Sequence, residues 1–389
     1  MQIDLKKCHA ALRIISLIIL AVALRMVFLS FQTADMTTFF LKWYHTLLKV
    51  GRIDALGTNF YNYSPAYIYL IDIMTLFPWI PKLVAIKLIL IFFDFLAAIA
   101  VYKLIGINTS SKVTRWTGFF SILFLPTVFI ESSLWGQADI IYTTFLLWSL
   151  FFILIDHPVT SIIGFSIGLC FKFQAIFFLP VLLILSLHKK IKFYWFILIP
   201  VVYIISVIPC WARGRSLFEL LTIYFQQAVT YSKLSMRAPN PYIFIDSRNN
   251  FEMKVYVGIW IAAVVSIGYI LFRWRKWKRM DFYAIVFDAA LFTTLLPFML
   301  PKMHERYFFT GCIFMLVLAI FDHKQIPATI LLQASLLLSF IPYLCGWSDN
   351  WVKIAAVINT ISVLLFLYFG KWLLVSTDFY PDKLAFEAT

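Results

Sequence analysis

The feature that most constrains this chain is a succession of long apolar stretches, which recur from Leu12 to Leu367 with no long polar linker between them. Apolar residues make up 62% of the sequence, whereas soluble domains contain roughly 45–50%. Charged residues make up only 13%, against about 25% in soluble domains. Since a water-soluble fold cannot bury this much apolar surface, we expect one integral membrane domain covering residues 1–389.

A membrane-spanning helix needs about twenty mainly apolar residues. The sequence therefore predicts an all-α, polytopic membrane protein with about 12–13 transmembrane helices. The predicted spans are Leu12–Phe31, Leu83–Ile105, Thr117–Glu131, Ile140–Ile155, Val159–Phe171, Ala175–Leu187, Phe193–Trp211, Val255–Phe272, Phe282–Leu300, Tyr307–Phe321, Ile326–Leu344 and Val352–Phe369. The apolar stretch Tyr67–Phe77 is too short to cross easily, so we expect a re-entrant or interfacial helix there.

The basic residues predict the orientation of these spans. The formal net charge is +14, but the Lys and Arg residues lie in short loops between apolar stretches, which favours a membrane protein over a nucleic-acid-binding one. The positive-inside rule places the most basic loop, Arg273–Arg279, in the cytoplasm. Alternation of the spans then places Lys112–Arg115, Lys189–Lys192 and both chain termini on the same side.

Four polar segments are then predicted together on the outer face: residues 32–66, 132–139, 213–252 and 301–307. Long loops in compact folds are usually functional or disordered, and the Trp and Tyr content of these segments argues against disorder. Within the first segment, Thr37–Val50 places apolar residues at helical spacing, which predicts an amphipathic helix next to the membrane. We therefore expect the four segments to form the functional site.

Asp35 follows the first span, within a few residues of the membrane surface. A carboxylate at this position suits a general base that acts on a hydroxyl group. The competing interpretation is a helix N-cap, because Asp35 precedes Thr37, Thr38 and an apolar helix. The sequence leaves both interpretations open.

Polar and aromatic residues follow the third predicted span. Trp135, Gln137 and Asp139 combine an indole, an amide and a carboxylate, which suit the apolar face and the hydroxyl groups of a sugar. An aromatic belt residue beside a solvated turn is the structural alternative. Glu131 weakens that alternative, because an ionisable group at the end of a membrane helix is energetically expensive and favours a functional role.

Four basic residues on the predicted outer side are candidates for binding a phosphate group. Lys172 lies between two short apolar stretches, and Lys302, His304 and Arg306 precede another. All four side chains can donate to phosphate oxygens, and Arg306 can do so through two parallel bonds. The alternatives are snorkelling of Lys172 towards the headgroups and a solvated charge run. The chain has no P-loop, no dinucleotide-binding GxGxxG and no HExxH or GxSxG motif.

Together, these motifs resemble those of the GT-C class of membrane glycosyltransferases, and in particular bacterial relatives of the GPI-anchor mannosyltransferases. The resemblance rests on Asp35, Tyr61-Asn62-Tyr63-Ser64-Pro65, Trp135-Gly136-Gln137-Ala138-Asp139, Lys172 with Gln174, and Met303-His304-Glu305-Arg306-Tyr307. The motifs cover most of the chain in the expected order. Many family members carry a second acidic residue beside the first-loop Asp, whereas Met36 stands there in this chain. The sequence leaves the participation of a divalent metal open.

The resemblance implies a GT-C-like fold and a hexosyltransferase of the cell envelope, whose donor is a mannose-like or glucose-like sugar on a polyprenyl phosphate. The acceptor would be a hydroxyl group of a glycan or glycolipid, with inversion at the anomeric carbon and no further cofactor. The resemblance also implies a bacterial cytoplasmic membrane, with the active site on the outer face. Asp35 would be the base, and Lys172, Lys302, His304 and Arg306 would bind the donor phosphate. The residues expected to contact the sugar or the acceptor are Tyr61, Tyr63, Trp135, Gln137, Asp139, Gln174, Asn240, Glu305 and Tyr307.

Two other functions remain as alternatives. A transporter or flippase of lipid-linked glycans would carry polar residues at the bilayer midplane, often with internal repeats, and neither is evident in this sequence. A polymerase or ligase of lipid-linked glycans is a closer alternative, because it also needs cations for a lipid phosphate.

Overall fold

The computed structural model describes residues 5–276 and 280–375. Over these residues the chain is almost entirely helical, with one two-stranded sheet. Residues 277–279 of the predicted basic loop and both chain termini lie outside the described residues.

The structure contains seventeen α-helices over the described residues. They are α1 (Leu5–Met26), α2 (Leu41–Val50), α3 (Arg52–Ala55), α4 (Pro65–Met74), α5 (Lys82–Asn108), α6 (Lys112–Phe124), α7 (Pro126–Phe129), α8 (Asp139–Leu154), α9 (Pro158–Phe171), α10 (Leu179–Leu187), α11 (Leu198–Ala212), α12 (Leu217–Val229), α13 (Phe251–Lys276), α14 (Phe282–Met299), α15 (Phe309–Phe321), α16 (Ile326–Leu344) and α17 (Asn350–Val375). Short 3₁₀ segments occupy Phe173–Phe178, Phe193–Ile197, Pro241–Phe244, Glu305–Phe308 and His323–Gln325, and π-helical turns occupy Met36–Phe40 and Ile130–Trp135. Strands β1 (Ser235–Met236) and β2 (Met303–His304) pair in parallel.

Seven of the described helices are long and apolar enough to cross a membrane, which makes the protein an all-α, multi-pass membrane protein. They are Cys8–Met26, Lys82–Asn108, Phe193–Ala212, Phe251–Arg275, Phe282–Met299, His323–Leu344 and Asn350–Lys371. An eighth span results if Lys112–Phe124 and Pro126–Trp135, which meet at a 43° bend, cross as one unit.

The expected 12–13 full spans are too many by this criterion of length and composition. Four of the predicted spans form shorter helices instead: Asp139–Leu154, Pro158–Phe171, Phe173–Leu187 and Phe309–Phe321. The helix Pro65–Met74 is also short, as expected for the stretch Tyr67–Phe77. The physical reason is that polar or proline-bearing breaks interrupt the helices. Lys172, for example, is extended between α9 and the next helical segment, and Leu125 is extended before Pro126.

The apolar surface is distributed as expected for a bundle in lipid. In the apolar stretches of α5 and α14, 67% and 72% of the residues are buried inside the bundle. In those of α1 and α13 only 11% of the residues are buried. On α13, Tyr256, Trp260 and Val264 expose large apolar side chains. In water such a contiguous apolar face would drive aggregation, so it is suited to contact lipid chains.

Two buried cations of α1 and α5 fix the entrance to the first polar segment. Arg25 donates to Asp94 Oδ2 at 2.7 Å, and the Ser132 hydroxyl donates to the same oxygen at 2.7 Å. Lys87 Nζ donates to three backbone carbonyl oxygens, those of Phe28 at 2.8 Å, Phe31 at 2.5 Å and Leu134 at 3.2 Å. Lys87 and Asp94 therefore join α1, α5 and the turn after α7.

The short basic turns lie together at one end of the bundle. Lys190 in the α10–α11 connection lies 3.5 Å from Asp156 in the α8–α9 turn. His188 Nε2 lies 3.2 Å from the carbonyl oxygen of Arg273 near the end of α13. Residues 32–66, 132–139, 213–252 and 301–307 meet at the opposite end of the helices.

Candidate functional site

Segments that are distant in sequence are joined at this end of the bundle by specific contacts. Arg215 donates to Asn59 Oδ1 at 3.0 Å and to the Tyr61 carbonyl at 3.3 Å, which links residues 213–252 to the first polar segment. The pairing of β1 with β2 links residues 213–252 to 301–307. The hydrogen bond from Trp135 to Asp35 links residues 132–139 to the first polar segment, so contacts connect all four segments.

Asp35 lies where the first polar segment meets the Trp135-Gly136-Gln137 turn. Its Oδ2 atom accepts hydrogen bonds from Trp135 Nε1 at 3.1 Å and from Gln137 Nε2 at 2.5 Å. Its backbone N–H donates to the Tyr343 hydroxyl at 2.8 Å. The carboxylate is therefore oriented by two donors that come from a motif about one hundred residues away.

The N-cap interpretation of Asp35 is wrong. Asp35 has helical dihedral angles of φ −62° and ψ −41°, and its side chain makes no capping hydrogen bond. Thr33 takes this part instead, because its hydroxyl accepts from the backbone N–H of Met36 at 3.4 Å. The Asp35 carboxylate is consequently not used for local helix capping.

The turn that presents Trp135 and Gln137 requires a glycine at its centre. Gly136 has φ +84°, and a Cβ atom there would collide with the Met36 side chain. The N–H groups of Gly136 and Gln137 both donate to the Glu131 carbonyl, at 2.9 and 3.0 Å. The Trp135 ring is fixed by stacking on Tyr343, with 4.5 Å between ring centroids.

Arg306 is the central cation of the site. Its guanidinium nitrogens lie 3.7 Å from Asp35 Oδ2, 3.4 Å from Asp139 Oδ2 and 3.2 Å from Glu305 Oε1. Its Cζ atom lies 5.1 Å from the centroid of the Trp135 ring. The side chains of Arg306 and Asp35 are 13% and 22% exposed, so this pair forms the accessible rim of the cluster.

Lys172 is the second buried cation. It donates to Asp139 Oδ1 at 2.6 Å, and its Nζ atom lies 5.7 Å from the Tyr307 ring centroid. Burial lowers the pKa of the Lys172 ammonium group below its usual value, although the Asp139 charge acts in the opposite direction. Asp139, whose side chain is fully buried, thus has one cation on each carboxylate oxygen.

His304 and Glu305 complete the charged cluster. The His304 ring packs edge-to-face on Tyr231 at 4.6 Å, and its Nδ1 lies 3.7 Å from Glu305 Oε2. Burial acts to raise the pKa of Glu305, but the neighbouring His304 and the Arg306 charge outweigh it, so the pKa lies below the usual value. His304 Nε2 is buried and makes no hydrogen bond within the described part of the chain.

Three residues expected at the site serve to hold the loops instead. Lys302 donates to the Ala228 carbonyl at 3.1 Å. The Asn240 amide donates to the carbonyls of Pro297 and Leu300, at 3.1 and 3.2 Å. The Tyr61 hydroxyl lies 3.1 Å from Cys210 Sγ. The contacts of these three side chains lead away from Asp35 and Arg306, because each side chain is drawn to a neighbouring loop or helix end.

Tyr63 and Tyr307 remain with the cluster, and Gln174 follows Lys172 by two residues in the sequence. The Tyr63 hydroxyl and Gln174 Oε1 are buried and have no hydrogen-bond partner among the described residues. Tyr63 and Tyr307 both interact electrostatically with Asp139 and Arg306. Polar atoms are therefore available around the cluster for hydrogen bonds to a ligand.

Tyr343 and Thr33 carry no sequence signal for the site, and Tyr231 carries only the weak signal of the mixed polar and aromatic stretch Tyr231–Tyr242. Tyr343 lies inside the apolar helix α16, yet it contacts both the Asp35 backbone and the Trp135 ring. Tyr231 packs against His304, and Thr33 donates to the Trp135 carbonyl at 2.9 Å. A single tyrosine in an apolar helix has the same sequence pattern as a membrane-interface residue, so no local signal distinguishes its role.

Four carboxylates surround only two permanent cations in this cluster, Lys172 and Arg306. The carboxylates are those of Asp35, Glu131, Asp139 and Glu305. Residues 5–276 and 280–375 contain no group of three or more His, Cys, Asp or Glu side chains arranged to hold a metal ion.

No family model matches the chain, and no curated protein matches it.

Proposed function

We propose that the protein is a GT-C-type glycosyltransferase that moves a hexose from a polyprenyl-phosphate carrier to an acceptor hydroxyl group. The observation that carries the proposal is the Asp35 carboxylate, which is oriented by Trp135 and Gln137 and lies 3.7 Å from Arg306 at an accessible rim. A base beside a cation suits this reaction, because one group accepts a proton while the other stabilises a departing anion.

The proposed step has a balanced flow of protons and electrons. The acceptor oxygen forms a bond to the anomeric carbon as its proton passes to Asp35. The bond between that carbon and the phosphate oxygen breaks, and the electron pair leaves with the polyprenyl phosphate. Attack from the face opposite the phosphate inverts the anomeric configuration, through a transition state with oxocarbenium character.

The charges around Arg306 support this sequence. The donor is a phosphodiester with one negative charge, and the departing phosphate gains a second. At the same time Asp35 becomes neutral, so Arg306 loses one of the three carboxylates that surround it. The guanidinium is then free to pair with the phosphate, while Lys172 stays on Asp139 at 2.6 Å. Proton transfer and leaving-group stabilisation are thereby coupled through Arg306.

The proposal places the site on the outer face of a bacterial cytoplasmic membrane. The support is that the basic turns, including Lys189–Lys192, lie at the opposite end of the bundle from Asp35. Under the positive-inside rule that basic end faces the cytoplasm. The carrier's polyprenyl chain would remain in lipid beside the exposed apolar helices.

A transporter and a glycan polymerase or ligase remain the alternatives, and a transfer assay separates them. Purified protein in vesicles is supplied with radiolabelled polyprenyl-phosphate hexoses and a membrane extract. A glycosyltransferase moves one labelled hexose to a hydroxyl-bearing acceptor. A flippase would return the labelled donor chemically unchanged on the other side of the vesicle, and a polymerase or ligase would label only products made from preassembled glycans.

A further inference from the structure

Glu131 is a buried carboxylate that the step above does not use. Its side chain is fully buried, and neither carboxylate oxygen makes a hydrogen bond within the described part of the chain. Leaving an acceptor of this kind unpaired in a protein interior is energetically expensive, and buried polar groups normally have partners. The carboxylate is therefore suited to a partner that is not part of the polypeptide.

Another buried carboxylate shows what a purely structural arrangement looks like in this protein. Asp94 is also fully buried, and its Oδ2 atom accepts from both Arg25 and Ser132 at 2.7 Å. Glu131 lies next to Ser132 in the sequence, yet it receives no such donor. Its backbone is held in place, because its carbonyl accepts from the N–H groups of Gly136 and Gln137. The backbone of Glu131 is thus held in place, while its side-chain oxygens have no hydrogen-bond donor among the described residues.

The surroundings of Glu131 indicate the chemistry of its partner. Glu131 interacts with Asp139, with which it can share a proton, and with Lys172 and Arg306, two of the cations expected to lie around the donor phosphate. It is fully buried whereas Asp35 is 22% exposed, so Glu131 lies further from the rim. The part of the donor next to its phosphate is the hexose, whose hydroxyl groups are hydrogen-bond donors suited to a carboxylate.

We infer that Glu131 binds a hydroxyl group of the donor hexose and is a specificity-determining residue of the transfer site. This inference rests on the proposed function, since it needs a sugar attached to the bound phosphate. Tyr63, whose buried hydroxyl also lacks a partner among the described residues, supplies a further hydrogen-bonding group near Asp139.

The test is a binding measurement that needs no acceptor. Purified protein in nanodiscs is titrated with polyprenyl-phosphate mannose, polyprenyl-phosphate glucose, their monodeoxy derivatives and sugar-free polyprenyl phosphate. In the parent protein, removal of the recognised hydroxyl weakens binding at least about tenfold, because the buried carboxylate is left unpaired. Glu131→Gln weakens binding of the complete sugar by about tenfold and removes that discrimination, while sugar-free polyprenyl phosphate binds as before.

Asp156→Asn is the matched control, since Asp156 is an exposed carboxylate at the other end of α8 and should change none of these affinities. If Glu131→Gln fails to fold, Glu131→Asp, which withdraws the carboxylate by one methylene group, provides the same comparison. The inference is overturned if Glu131→Gln keeps the parent's preference among the deoxy sugars. That result is expected if the Glu131 carboxyl is only structural and shares a proton with Asp139. Equal weakening of sugar-free polyprenyl phosphate also overturns it. Binding of none of the hexose donors by the parent protein refutes the proposed function itself.

Discussion

The variant Asp35→Asn tests the proposed role of Asp35 as a general base separately from its role in folding. The substitution keeps the shape of the side chain but removes the charge that lies 3.7 Å from Arg306. Two unit charges at this distance attract each other by about 4 kcal/mol at an effective dielectric constant of about 20. Most of this attraction is offset by desolvation, and exposed or partly exposed pairs contribute roughly 0–1 kcal/mol. Because Arg306 retains Asp139 and Glu305 as partners, we expect the free energy of unfolding to change by about 1 kcal/mol or less.

Transfer should respond much more strongly than stability. Loss of a general base lowers the rate by about 100- to 10,000-fold, which is roughly 3–5 kcal/mol of the barrier. The donor should bind no more weakly than to the parent, because the substitution removes a negative charge that competes with the phosphate for Arg306. The assay measures initial transfer rates and donor dissociation constants in the same vesicles.

Asp54→Asn is the matched control for this experiment. Asp54 also lies in the first polar segment and also lies 3.7 Å from an arginine, Arg213, but its side chain is 76% exposed and lies outside the cluster. We expect this variant to keep the parent's transfer rate. Transfer by Asp35→Asn at a rate within threefold of the parent would refute the assignment of Asp35 as the base.

Three further changes test other parts of the structure. Lys87→Met leaves three carbonyls without their donor and should lower the free energy of unfolding by about 3 kcal/mol or more. An unchanged thermal unfolding temperature would show that Lys87 does not hold α1 and the turn after α7 in place. Trp135→Phe keeps the stacking on Tyr343 but removes the donor to Asp35, so transfer should fall about tenfold with little change in unfolding; an unchanged rate would mean that the indole N–H does not orient the base. The lowered pKa of Glu305 means that its ionised form stabilises the fold above the usual Glu pKa of about 4.3, and that this contribution is lost as the pH falls through the lowered value. Glu305→Gln should therefore lower the unfolding temperature at neutral pH and approach the parent in acid, and a difference that does not depend on pH would contradict the assignment.

The membrane character of the fold could be predicted from the sequence, whereas the number of complete spans could not. Apolar stretches such as Leu83–Ile105 and Phe282–Leu300 correspond to long helices, since about twenty apolar residues are sufficient to define a span. The sequence did not predict that Thr117–Glu131 is broken before Pro126, where the helix axis bends by 43°. Such a break depends on packing partners that satisfy the freed backbone groups, and these are distant in sequence.

The sequence predicts those residues of the candidate site that belong to recognisable local motifs. Asp35, Trp135 and Arg306 stand in polar motifs beside apolar helices, and the structure brings all three together. Lys302 shows the limit of this reasoning, because it lies in the same motif as Arg306 but points to the Ala228 carbonyl. Tyr343 shows the converse, since its contact with Asp35 arises only from the packing of α16. Motifs indicate which side chains have suitable chemistry, and tertiary packing decides which of them meet.

The proposed function requires a lipid phosphate to bind at the acid-rich end of the bundle, around Arg306, although the basic turns lie at the other end. Photo-crosslinking with a diazirine-bearing polyprenyl phosphate, followed by peptide mapping, tests this claim most directly. We predict labelling of peptides that contain Glu131–Asp139, Lys172 or Met303–Tyr307. Labelling confined to Lys112–Arg115 and Lys189–Lys192 would contradict the proposed site.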